Sequence, residues 1–338
     1  MAFIQHILLF KKLSFKKLIN ALSVYLSYHT SRRKGINKHK GFPISISIEP
    51  TTSCNLRCPE CPSGTRSFTR PIGMLQQEFF EKIINQLADN LIYLTFYFQG
   101  EPYLNPAFLT MVTIAHQKKI FTSTSTNAHY LTDENAKATI KSGLDRLIIS
   151  IDGTTQETYE QYRVGGDLSK VIEGTKNIIK WKKQLGSKTP YIVFQFLVVK
   201  PNEHQLTQVK QLANELGINE LKFKTAQVYN YENGNNLIPE NEKYARYKKG
   251  MDGKWKIKNE LLNHCWRMWS SCVITWDGKI VPCCFDKDAQ HQLGSLHETS
   301  FLEIWNSNNY NNFRNSVLKS RKEIDICANC SEGTKVWA

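Results

Sequence analysis

The stretch Ile44-Ser-Ile-Ser-Ile-Glu49-Pro-Thr-Thr-Ser-Cys54-Asn-Leu-Arg-Cys58-Pro-Glu-Cys61-Pro62 joins two signals that together set the fold. Its first five residues alternate with period two and are rich in β-branched side chains, which predicts a strand. Three cysteines follow at once, spaced C-x3-C-x2-C. Loops at the carboxyl ends of parallel strands are where sheets of that kind carry their active sites. Three thiolates on one short loop can hold three irons of a cubane iron–sulfur cluster, whose closed form takes four cysteines. The fourth iron then stays open to a substrate or cofactor, the same logic that separates catalytic from structural zinc. A zinc knuckle and unligated core cysteines are the alternatives, although the loop offers no fourth Cys or His.

Outward from this loop the pattern repeats. Strand-like segments at 91–98, 121–126, 146–151, 191–199 and 221–228 alternate with helical spacing at 75–87, 106–118, 133–141, 168–184 and 203–216. Strands separated by helices predict an α/β fold with a parallel sheet built from βα units. Six such units in about 190 residues fit a partial (β/α)6 barrel better than a closed eight-stranded one. Residues 229–241, rich in Asn, Gly, Tyr and Pro, read as a boundary. Beyond it lie six of the nine cysteines and few long periodic helices, and the Asn-rich run 306–315 reads as a helix end and turn. The expected organisation is a leader at 1–40, a barrel at 41–228 and a smaller cysteine-rich domain at 229–338 that depends on metal ligation.

Composition narrows the class. With 41% apolar and 22% charged side chains in 338 residues, the chain is globular rather than disordered, collagen-like or a coiled coil. Nine cysteines are odd in number and too sparse for a disulfide scaffold. No run of eighteen apolar residues suggests a transmembrane helix. The formal charge of +14 is unevenly placed: residues 1–48 hold nine Lys and Arg and no Asp or Glu, leaving +5 for the rest. Basic charge confined to a leader, with no basic–aromatic platform on the body, makes nucleic acid an unfavoured partner.

Within that leader Ile4, Leu8, Phe15, Ile19, Leu22 and Leu26 share a face of a helical wheel, interrupted by Lys11. Two readings are open. A basic amphipathic helix can lie on an anionic membrane surface, each Lys near the headgroups contributing roughly 1 kcal/mol. Alternatively the helix packs its apolar side on the body and leaves its lysines in water. The apolar run 7–10 is too short for a signal-peptide core, so secretion is not expected.

The cluster loop resembles that of the radical SAM superfamily. The superfamily also carries a Gly-Gly-Glu-Pro motif after its second strand, whose backbone holds the amino group of S-adenosylmethionine, and this chain has Gln99-Gly100-Glu101-Pro102 there. Gln99 replaces the first glycine. Residues 123–127, ending in Asn127, and Ser150-Ile151-Asp152-Gly153 look like the edges that contact ribose and methionine. Arg163 resembles an arginine that pairs with the cofactor carboxylate in peptide-modifying relatives, and Gln195 would flank the adenosine. Glu60 stands where many members place an aromatic residue near the adenine. Each motif alone is weak, since Ser-x-Asp-Gly is an ordinary turn; their order along successive strand ends carries the weight.

Cys265, Gly278 and Cys283 fit C-x12-G-x4-C, and Cys327 with Cys330 gives C-x2-C. This resembles the SPASM or shorter twitch extension of radical SAM enzymes, implying one auxiliary 4Fe–4S cluster on Cys265, Cys283, Cys327 and Cys330. A zinc ribbon is the alternative for four such cysteines. Cys284 could exchange with Cys283, and Cys272 reads as a buried small hydrophobe. The resemblance implies an oxidoreductase that cleaves S-adenosylmethionine reductively to a 5′-deoxyadenosyl radical and abstracts hydrogen from a peptide or small molecule. Net oxidation or cross-linking would be assisted by the auxiliary cluster. An electron donor such as flavodoxin or ferredoxin is implied, and oxygen-sensitive clusters imply a cytoplasmic site, possible also at the inner membrane face. Losing a hydrogen and an electron also requires losing a proton, and Asp286 is the candidate base, with Asp277 behind it. An electron-transfer protein, an RNA-modifying enzyme and an enzyme of lipid-linked substrates are the rivals.

Overall fold

The computed structural model describes residues 7–333; Ile4 of the leader's apolar face lies outside them. Six parallel strands run in chain order: β1 Ser45–Ile48, β2 Tyr93–Phe96, β3 Phe121–Thr126, β4 Arg146–Ser150, β5 Tyr191–Val198 and β6 Glu220–Thr225. A leader helix α1 (Phe15–Lys34) precedes them, and α2 (Gln77–Leu87), α3 (Phe108–Gln117), α4 (Asp133–Lys141), α5 (Gln156–Tyr162), α6 (Leu168–Gln184) and α7 (Leu206–Glu215) connect them. Local chemistry sets several boundaries. Thr132 caps α4 by accepting the Asn135 N–H, and the Asp167 carboxylate caps α6 through the Ser169 N–H. Alternation sorts the two faces of the sheet. Ile46, Ile48, Leu94, Phe96, Leu147, Ile149, Phe194 and Phe196 pack in the core under the helices. Paired neighbours Ser45 and Tyr93, Ser123 and Arg146, and Ser150 and Gln195 share the other face, which lines a largely polar bore.

The sheet does not end at the sixth strand. After the hairpin β7 (Tyr247–Lys249) and β8 (Trp255–Ile257), a short helix α8 (Trp266–Ser270) leads into β9 (Ser271–Ile274). β9 lies parallel to β1 on its free edge, with Ser45 opposite Ser271. β10 (Lys279–Val281) and β11 (Gly294–Ser295) follow antiparallel, giving one nine-stranded sheet in the order β11-β10-β9-β1-β2-β3-β4-β5-β6. Helices α9 (Phe301–Asn306) and α10 (Asn308–Ser320) follow, and a last helical turn, Asp325–Ala328, carries Cys327. Helix α10 replaces the expected Asn-rich turn. Ser307 caps it, and the wholly buried Arg314 lies 4.5 Å from the Trp305 ring centroid and 4.1 Å from that of Tyr310.

The leader packs, but by the face opposite to the expected one. Lys17, Asn20, Val24, Ser27, Tyr28 and Ser31 are the buried residues of α1. The Lys17 ammonium donates to the Lys119 carbonyl at 2.7 Å, and Asn20 exchanges hydrogen bonds with the Phe42 backbone. The Tyr28 hydroxyl meets His264 Nδ1 at 2.8 Å, with the rings of Trp266 and Trp269 edge-on. Lys12, just before the helix, forms an ion pair with the buried Asp145. Of the face read as apolar, Phe15, Ile19, Leu22 and Leu26 are exposed, as is the neighbouring Leu18, while Leu8 is half-buried. Selection between the faces was made by specific polar partners, not by hydropathy.

Candidate active site

At the carboxyl ends of the strands one pocket is lined by Cys54, Cys58 and Cys61 together with Gly100, Glu101, Asn127, Ser150, Arg163 and Gln195. These were expected site residues, and the topology brings them to one place. Gly100 is where the close approach is made. Its φ is +74°, and a Cβ there would overlap the Thr51 carbonyl and come within 2.8 Å of the Ser53 carbonyl. The Gly100 N–H donates to Ser63 Oγ at 2.9 Å and the Glu101 N–H to the Ser53 carbonyl at 2.8 Å, clamping the second strand end onto the cysteine loop. Gln99 is not among the residues of positive φ, so its side chain is tolerated in place of a glycine. That side chain lies 3.7 Å from the Cys61 sulfur.

Glu101 holds the scaffold. Its carboxylate accepts from Thr126 Oγ1 at 2.7 Å and from the Asn127 N–H at 2.8 Å, and burial pushes its pKa up to about 7 against those bonds. The Asn127 amide in turn donates to Asn55 Oδ1 at 2.8 Å. Pro102 opens a single turn of 3-10 helix behind the pocket. Asp152 is fully buried, accepts the Leu197 N–H at 2.7 Å and is ion-paired to Arg163, so it orients that guanidinium from behind. The Arg163 Nη1 reaches to 3.8 Å from the Cys58 sulfur. Glu60 does not line this pocket; it accepts the Tyr229 N–H at 2.9 Å.

A second pocket gathers Cys265, Cys283, Cys327 and Cys330 from three separate segments. Arg321, 1% exposed, donates to the Cys330 sulfur at 3.2 Å, the Glu332 carbonyl at 2.7 Å and the His264 carbonyl at 3.1 Å. A desolvated guanidinium with sulfurs and carbonyls for partners and, among the described residues, no carboxylate calls for negative charge among those four cysteines. Cys284 turns instead to Arg267, 3.4 Å from its Nη1, and Cys272 is buried within β9. None of the nine cysteines is in a disulfide. Among the described residues no group of three or more His, Cys, Asp or Glu is set to hold a single metal ion. Three cysteines around the first pocket and four around the second are donor sets of the kind that cubane iron–sulfur clusters take.

Asp286 lines neither cysteine pocket but an adjoining cleft that it shares with Glu60, Cys61 and Phe285. It is 1% exposed, and its two carboxylate oxygens accept the N–H groups of Gln290 and His291 at 2.8 and 2.9 Å, fixing the turn after the Cys283–Cys284 pair. Sequence reasoning missed Ser63, Tyr97 and Tyr162 in the first pocket and Arg267 and Arg321 in the second, whereas Ser125 falls within the expected segment 123–127. For Tyr97 a signal existed, since period two from Tyr93 and Thr95 turns it toward the bore. For Arg321 none did.

A parallel partial barrel with three loop cysteines under a glycine clamp, and a second four-cysteine pocket on the same sheet, is the architecture of one protein class. Residues 48–205 of the chain match the model of the radical SAM superfamily, and residues 265–331 match that of the iron–sulfur cluster-binding SPASM domain. Its cofactors are a 4Fe–4S cluster with S-adenosylmethionine and auxiliary iron–sulfur clustering in the SPASM domain. It is 25% identical over 312 residues to the tungsten-containing aldehyde ferredoxin oxidoreductase cofactor-modifying protein of Pyrococcus furiosus, spanning 84% of this chain and 86% of that one. It is 21% identical over 316 residues to the PqqA peptide cyclase of Gluconobacter oxydans, spanning 87% and 84%. The solved structure of His6-tagged anSMEcpe with bound AdoMet shares its fold at a TM-score of 0.64 and 19% identity, covering 86% of each chain.

Proposed function

We propose that this radical SAM enzyme is an oxidoreductase that modifies a peptide or a small cofactor-like molecule in the cytoplasm, drawing electrons from a flavodoxin- or ferredoxin-type donor. The observation that carries the reading is the presence of two cysteine pockets on one continuous sheet, the first open to the bore and the second walled by buried side chains. Cys54, Cys58 and Cys61 would hold the reactive cluster, and Cys265, Cys283, Cys327 and Cys330 one auxiliary cluster. When bound, cluster and S-adenosylmethionine supply the 5′-deoxyadenosyl radical that takes hydrogen from an unactivated C–H bond. The chain's own residues position and shield. Arg163, held by Asp152, offers the cation for a cofactor carboxylate. Gly100 leaves room for backbone contact, and Asn127, Ser150 and Gln195 present polar groups at three strand ends. Leu56, Phe98, Tyr162 and Leu197 line the same pocket and exclude water from it. Relatives named for peptide cyclisation and for cofactor modification support both substrate classes.

The test is anaerobic reconstitution, iron counting and assay for 5′-deoxyadenosine under dithionite. About eight irons per chain, two cubanes of four, with deoxyadenosine formed and a substrate product lighter by two hydrogens, are expected. Zinc in place of iron, or a product formed without net oxidation, would overturn the corresponding half of the reading.

A further inference from the structure

The leader helix carries two stripes on opposite sides. Lys17, Asn20, Val24, Ser27, Tyr28 and Ser31 face the body and are buried. Roughly half a turn away on a wheel of about 100° per residue lie Phe15, Leu18, Ile19, Leu22, Tyr25 and Leu26, with exposures of 79, 49, 53, 57, 37 and 55%. Ile7 and Phe10, before the helix, are also exposed, at 40 and 69%. Isolated exposed apolar residues need no explanation, but a contiguous row along a helix of twenty residues does. The row is bordered by exposed cations: Lys11 and Lys16 near its start, and Arg32, Arg33 and Lys34 in the last turn.

We propose that α1 is a membrane-surface anchor whose outward apolar face lies in the interface of an anionic bilayer, with the bordering lysines and arginines at the headgroups. Charge selects this occupant over a second copy of the chain. Residues 1–48 contain nine Lys and Arg and no acidic residue, so two leaders brought face to face would set like charge against like, whereas anionic lipid complements it. No helix among the described residues is long and apolar enough to cross a membrane, so the contact is peripheral. The packing also sets which end of the molecule meets the lipid. Phe42, Lys119 and Asp145, the body residues bonded by Asn20, Lys17 and Lys12, lie just before β1, β3 and β4. The anchor thus sits at the amino ends of the strands and the cysteine loop at their carboxyl ends. A docked molecule would hold its pocket away from the bilayer and receive substrate from water.

This surface is independent of the reading of either cysteine pocket, and its test reads binding alone. The full chain, with clusters reconstituted, is sedimented with vesicles of phosphatidylcholine alone and of roughly three parts phosphatidylcholine to one part phosphatidylglycerol. Binding to the mixed vesicles, at least about tenfold weaker to the neutral ones, is expected. A Leu18→Ser, Ile19→Ser, Leu22→Ser, Leu26→Ser variant should bind about a hundredfold less at an unchanged melting temperature, because those four side chains are exposed. Arg32→Gln, Arg33→Gln, Lys34→Gln should erase the preference for anionic vesicles while leaving the apolar face intact. Equal binding to both vesicle types, full binding by the serine variant, or a protein left in the supernatant overturns the proposal. So does a concentration-dependent dimer that the serine variant abolishes without any vesicle binding.

Discussion

The two cysteine sites are built by opposite strategies. Cys54, Cys58 and Cys61 come from one loop after β1, and what the fold adds is a clamp of backbone groups from neighbouring strand ends, with Gly100 at its tightest point. Cys265, Cys283, Cys327 and Cys330 come from three segments that share no local geometry until α8, β10 and the chain end have packed, and what the fold adds is a buried guanidinium. A local site can fail by losing its clamp while the molecule stays folded. An assembled site fails together with the packing around it.

Single replacements should separate the two most sharply. Cys58→Ala is expected to abolish 5′-deoxyadenosine formation while keeping about four of the eight irons and the melting temperature. Cys327→Ala should also lose about four irons but keep cofactor cleavage, and should lower the melting temperature; equal loss of deoxyadenosine in both would erase the distinction. Next in size is Gly100→Ala, which forces a Cβ against the Thr51 and Ser53 carbonyls at positive φ. A destabilisation of roughly 2–4 kcal/mol and weakened S-adenosylmethionine binding by equilibrium dialysis are expected, with auxiliary iron untouched.

Arg321→Gln tests the other site with a split sign. Removing a buried cation that has no carboxylate partner among the described residues should cost the metal-free protein little, or stabilise it. Auxiliary iron should then be lost to a chelator about tenfold faster. Slower iron loss would mean the guanidinium does not balance the cysteine site. The smallest effect concerns the clamp's own carboxylate. Burial raises Glu101 from its ordinary 4.5 to about 7, so between those values the folded protein holds a proton that the unfolded chain has released. Its contribution is complete below about pH 4.5 and is lost as pH rises through 7. Glu101→Gln should flatten the denaturant midpoint over that window by the equivalent of about 1–3 kcal/mol; an unchanged slope would show that another group titrates.

The same contrast explains what could be read in advance. The cysteine loop, the strand-end motifs and the helices α4 and α6, whose limits match the periodic segments residue for residue, depend on neighbours in sequence and were legible there. Three features depend on distant partners and were not. β9 reads as a short apolar segment, and nothing local says that it pairs with β1. The Asn-rich stretch becomes helix because Arg314 is received between Trp305 and Tyr310. The leader's wheel shows its apolar face, but the face that packs is decided by Phe42 just past the leader and by Lys119 and His264 far along the chain. Asp286 looked available as a base because its partners are backbone N–H groups, which composition does not reveal.

The pairing of Ser45 with Ser271 also has a consequence in time. On a ribosome adding roughly 5–20 residues per second, β1 emerges on the order of 10–45 seconds before its second neighbour exists. Through that interval the first strand made is an open edge, and the cysteine loop attached to it hangs from an unfinished wall. The pocket that the loop lines is nevertheless complete by Leu197, long before that edge is covered. The order of manufacture therefore completes the first cysteine pocket before any cysteine of the second has been made.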